Sequence, residues 1–239
     1  MRKGKFFLLA LSVVTALAIL PVSTASASSS GLTLIKTEEH EFKGEVFQIQ
    51  TLKDGDGIEY TRIPTPVENK VEIAEYVENL KNPSKIVPFA GTTDWTRNIS
   101  NSSSNATVSM TTSGETYFSL IPPITEDTLT INQGSMTGYW FGSGNADKIV
   151  LSYKYEFSAL LITLSFPPML VKDSSTLSWT SLPIEDEWNV TAQTETATGK
   201  SRFQMNGVTI TAYADVYKGN NVYKPKASTY VMYSSPNHE

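Results

Sequence analysis

Residues 149–157 read Ile-Val-Leu-Ser-Tyr-Lys-Tyr-Glu-Phe, and this stretch decides the fold class. Ile149, Leu151, Tyr153, Tyr155 and Phe157 occupy alternate positions, with Ser152, Lys154 and Glu156 between them. A period of two sends large apolar side chains to one side of a β-strand and polar ones to the other; a helix would scatter both sets. Leu160, Ile162, Leu164 and Phe166 continue the alternation until Pro167-Pro168 stops it. Downstream, Val208, Ile210, Ala212, Ala214 and Val216 form a second one-sided strand, and Thr229–Tyr233 a last one. Two such faces laid together make a core, each large side chain contributing about 1.5–3 kcal/mol on burial.

Working upstream, shorter runs recur between Gly, Pro and Asn turns. Ala106, Val108 and Met110 alternate with hydroxyl residues, and Tyr117–Ile121 ends at Pro122-Pro123. Leu129 and Ile131 come next, then Met136–Phe141, Leu177–Leu182 and Trp188–Thr196. Beyond residue 90 no run follows a 3.6-residue period. The expected fold is therefore mainly β: an antiparallel β-sandwich or open barrel spanning 91–239. Serine and threonine make up about a quarter of the chain. Threonine suits the pleat, and hydroxyls keep an outer sheet face wet without charge. Asn98–Asn105 (NISNSSSN) is expected to be a loop, and no Lys or Arg occurs from Asn98 to Ala146.

The front of the chain has a different pattern. Residues 28–43 read as a polar leader. Glu45–Leu52 and Ile58–Ile63 form two extended runs around Asp54-Gly55-Asp56-Gly57, a β-hairpin. A helix follows, with Thr65 expected as N-cap, Pro66 in the first turn and Glu68 completing a capping box. Val67, Val71, Ala74 and Val77 form its apolar stripe, and Asn82-Pro83 ends it. Residues 28–90 are thus a small α+β segment, joined to the β-domain by a linker at Pro83–Gly91. Its eleven acids and seven bases set it apart and suggest a propeptide or regulatory arm.

Before it, residues 1–27 carry the marks of a signal peptide. Arg2, Lys3 and Lys5 precede an apolar tract from Phe6 to Leu20, and Ala25-Ser26-Ala27 offers a small-residue cleavage site. That tract is shorter than the ~20 residues of a membrane-spanning helix. The expected destination is secretion, in the style of a bacterial exporter. Cleavage removes three cations and no acid, so the net charge falls from −5 to −8. Such a chain is repelled by nucleic acid and by anionic lipid.

Composition removes several chemistries. With no cysteine there are no disulfides, thiol nucleophiles or thiolate metal sites. The histidines are His40 and His238, too few for most His-based catalysis, and no Gly-x-Ser-x-Gly or phosphate loop occurs. No cofactor or metal is expected. Asp54-Gly55-Asp56-Gly57 with Glu59 resembles a piece of a calcium loop, but lacks its remaining ligands and reads as a turn.

Aromatic residues supply the candidate ligand-binding set: Tyr139, Trp140 and Phe141 between two glycines, together with Trp179 and Trp188. Exposed rings on a sheet stack on sugar faces. The expected function is a non-catalytic exported protein that binds a cell-envelope component, a glycan or a protein partner. Two alternatives stand beside it. Trp188–Thr198 and Ser201–Thr211 could be arms of a low-charge hairpin turning at Gly199-Lys200, each long enough for a membrane-spanning strand of a toxin pore. Glu185, Asp186 and Glu187 could serve a hydrolase needing paired carboxylates, although they sit in an expected loop after Pro183.

Overall fold

The computed structural model describes residues 31–81, 92–121 and 124–233. The expected signal peptide and the Pro83–Gly91 linker lie outside the described residues. What is described is mainly β: one antiparallel sheet of fifteen strands, not closed, and one helix.

The sheet folds back on itself into two facing layers. In the first, β1 (Thr33–Phe42), β2 (Glu45–Lys53), β3 (Glu59–Arg62), β12 (Asn189–Thr194), β7 (Gly134–Trp140), β5 (Ala106–Ile121) and β4 (Thr92–Ser103) lie side by side. In the second, β15 (Lys226–Met232) pairs with β13 (Ala197–Lys218), followed by β8 (Ala146–Ser165), β10 (Thr176–Thr180) and β9 (Val171–Asp173). The short strands β11 (Ile184–Glu187) and β14 (Asn221–Tyr223) extend β8 and β13 respectively. Strand β6 (Ile124–Ile131) joins the layers, pairing with β5 over Gly114–Ile121 and with β13 over Ala197–Ser201. Long strands make this possible: β5 borders β7 in its first half and β6 in its second.

The core lies where the layers face. Ile149, Leu151, Tyr153, Tyr155 and Phe157 are all buried, as the alternation requires, and meet Val208 to Val216 of β13 within one cluster. Gly138 on β7 lets the layers close up. A Cβ there would stand 2.8 Å from a Leu151 methyl and 3.3 Å from Ala214 Cβ. Tyr153 and Tyr155 use their hydroxyls on the Glu195 backbone, accepting from its N–H at 3.0 Å and donating to its carbonyl at 3.3 Å.

A second, smaller cluster sits under helix α1 (Lys70–Lys81), where Ile73, Ala74 and Val77 cover Phe47, Ile63, Tyr139 and Trp188. The 28–90 segment is therefore joined to the rest by backbone as well as packing: β3 pairs with β12 from Tyr60↔Ala192 to Arg62↔Val190. Asn189 Oδ1 also accepts the Ile63 amide at 3.0 Å.

Several local expectations are corrected. The 28–43 leader contains strand β1, an edge strand exposed on both faces from Thr33 to Glu39, with only His40 and Phe42 at its end half-buried against the smaller cluster. The helix begins at Lys70, not after Thr65. The Thr65 hydroxyl accepts the Gln48 amide at 3.3 Å, Glu45 takes the Glu68 amide at 2.7 Å, and Asn69 O accepts the first helical bond from Ile73. Asn98–Asn105 belongs mostly to β4, with Ser104 at φ +57 turning into β5. Trp188–Thr198 and Ser201–Thr211 do not form a hairpin. Gly199-Lys200 lies inside the continuous strand β13, while β12 pairs with β3 and β7. The Glu185–Glu187 loop is strand β11, bent at Asp186 (φ +55).

Candidate functional site

The β7–β8 connection, Phe141 to Asn145, is held by two lysines. Lys70 Nζ donates to the carbonyls of Trp140 (3.4 Å), Gly142 (3.1 Å) and Gly144 (2.6 Å), and lies 5.7 Å from the Trp188 ring centre. Lys218 Nζ donates to Asn145 O at 2.6 Å. Partial burial, then repulsion from Lys218, holds Lys70 below the ordinary lysine range. Gly142 is required because a Cβ there would fall on the Trp140 ring.

This strapping creates a groove of about 460 Å³ between the start of α1 and the loop. Val67, Glu68, Asn69, Phe141 and Ser143 are among its lining residues. Phe141, half-buried, stacks on Tyr139 at 5.3 Å and 13°, and Tyr139 leans on Trp188 at 6.3 Å. The groove thus has an aromatic wall backed by a packed column of rings, with carboxylate, amide and hydroxyl groups around it. Glu72, also on its rim, is paired with Lys43 at 2.9 Å.

Of the five aromatics expected to meet a ligand, four are core residues. Tyr139 and Trp188 are buried under α1, and Trp140 packs on Tyr223 at 5.0 Å in the main core. Trp179 is buried elsewhere in that core, between Tyr153 and Tyr60. Both faces of β7 are covered, one by the second layer and the other by α1, so alternation left no ring of this group fully outside. Phe141, just past the strand end, alone lines the groove. Lys70, Asn69 and Ser143 were not anticipated. Gly142-Ser143-Gly144 was the available signal, since two glycines around a hydroxyl mark a tight loop, but nothing local says that a helix seventy residues earlier docks on it.

The carboxylates are dispersed. Glu185 and Asp186 are exposed, whereas Glu187 is buried and meets Arg62 at 3.0 Å. Burial pushes Glu187 up to about 7, with Arg62 opposing and Asp186 adding, and its second oxygen is buried with no hydrogen-bond partner. Asp54 closes its own turn, accepting from the amides of Asp56 and Ile58 and from the Tyr60 hydroxyl. Among the described residues no group of three His, Asp or Glu side chains could hold a metal ion. His40 stacks on Phe47 at 5.9 Å. No helix among the described residues is long and apolar enough to cross a membrane.

No protein-family model matches the chain, and no curated protein matches it.

Proposed function

We propose that this is an exported, non-catalytic binding protein whose groove beside Phe141 takes a glycan of the cell envelope. Phe141 carries the reading: a ring in a polar groove, fixed from behind by Tyr139 and Trp188, offers a sugar a stacking face that costs little side-chain ordering. Glu68, Asn69 and Ser143 supply acceptors and donors for hydroxyl groups. The basic start, apolar tract and small-residue site of residues 1–27 support export. The hydrolase alternative has less support, because Glu185 and Asp186 face outward while Glu187 is committed to Arg62.

A glycan array probed with the exported chain and with Phe141→Ala tests the proposal. The expected result is a defined set of bound glycans, bound roughly tenfold more weakly by the variant at a temperature where both proteins are fully folded. Equal binding by both proteins, or release of cleaved sugar, would overturn it.

A further inference from the structure

Away from the groove, strands β8 and β13 part company over a few residues. Their register runs Ser201↔Ile162 and resumes at Gln204↔Leu160, leaving Arg202 and Phe203 on one strand opposite Leu161 on the other. Such a bulge bends a strand and re-aims its side chains. Here the re-aimed residues are apolar and outside: Leu160 is 60% exposed, Leu161 72% and Phe203 66%. Met232, 70% exposed, belongs to the same region, being paired with Gly207, whose β8 partner is Ser158.

This bulge is a built feature. Ser201 Oγ lies 2.6 Å from Leu160 O, donating to it, and accepts the amides of Phe203 and Gln204 at 3.3 Å. Asp127 takes the Met205 amide at 3.0 Å. Leu161 is held at φ +53, a conformation that L side chains other than Asn and Asp rarely adopt. A leucine kept in a strained backbone and exposed to solvent gains nothing from core packing there, which makes it a candidate for a functional role.

We infer that this bulge is a wedge that docks on the surface of a neutral phospholipid bilayer, with Leu160, Leu161, Phe203 and Met232 entering the headgroup–acyl boundary. Size and charge choose the occupant. Four side chains present on the order of 300 Å², the size of a functional patch; matched by an equal area on a partner this makes ~600 Å² in all, below the ~1,000 Å² total a stable protein interface buries. Lys200 beside it is paired with Glu126 at 2.9 Å, and Asp127 is engaged by Met205 N and the Tyr233 hydroxyl, so Arg202 is the cation left to meet lipid phosphate. The chain's net negative charge selects zwitterionic over anionic headgroups. This inference is independent of the groove and of any glycan.

Flotation of the exported chain with phosphatidylcholine vesicles tests it. The wild-type protein is expected to float with the vesicles. The double variant Leu161→Ser/Phe203→Ser should lose at least tenfold in partitioning, and Leu34→Ser/Ile35→Ser, which removes an exposed apolar pair on β1, should not. Leu161→Gly relieves the backbone strain, so it should keep or raise the unfolding temperature while weakening flotation, which separates docking from folding. Absence of flotation, equal flotation by the bulge variants, or lipid-free self-association abolished by the same substitutions would overturn the inference, the last assigning the patch to a second copy.

Discussion

Glu187 shows how burial outweighs a salt bridge. Its carboxylate touches Arg62, yet desolvation raises its pKa from 4.5 to about 7. The folded protein then holds a proton that the unfolded chain releases. Stability contributed by the protonated form is therefore full below about pH 4.5 and is lost as pH climbs through about 7. The loss is on the order of 3 kcal/mol. Unfolding temperatures at pH 5 and pH 8 should show this fall in the wild type and a much smaller one in Glu187→Gln. Gly114 makes a second residue-level case, since an added Cβ would collide with the Trp95 ring and the Thr130 carbonyl. Gly114→Ala is expected to lower stability by about 1–3 kcal/mol in urea denaturation. Neither effect was legible in the sequence. Glu187 reads there as one of three solvated acids, because its partner lies on a strand more than a hundred residues away.

Helix α1 is held along its length by Ile73, Ala74 and Val77 and anchored at its start by one side chain. Lys70 fixes its first turn to three carbonyls of the β7–β8 loop, so Lys70→Met should cost about 1–3 kcal/mol. Amide exchange should accelerate selectively in α1 and in Phe141–Asn145. Of the apolar stripe read from spacing, Ala74 and Val77 are buried and Val67 packs partly against them, but Val71 is 55% exposed and Ile73 takes its place; the β2–β3 hairpin was readable because it is written in local periodicity. The helix start was misread since Thr65 and Glu68, a good capping pair in isolation, are claimed by Gln48 and Glu45 of β2. Strand β1 escaped for the opposite reason: both faces are exposed over Thr33–Glu39, and only His40 and Phe42 alternate. Leu160 reads as inward-facing with Ile162 and Leu164, but the structure flips the phase at the Leu161 bulge, so Leu160 keeps the outward side of Ser158 while Ile162 and Leu164 turn inward.

The described residues form an open sheet folded over itself, and the groove exists because β3, which leads into α1, and β7, which leads into the loop, both flank β12 in that one sheet. Alternation along 149–157 and 208–216 made the mainly-β class legible. It could not supply the pairing of β3 with β12, which joins residues about 130 positions apart and carries α1 onto the β7–β8 loop. Hydrogen exchange on the protein tests this pairing most directly. The amides along the Tyr60–Arg62 and Val190–Ala192 ladder should be protected to a degree comparable with Tyr155 and Ile210 in the main core. Rapid exchange of that ladder while β8 and β13 stay protected would contradict the account, since the 28–90 segment would then be a loosely held arm and the groove would have one wall.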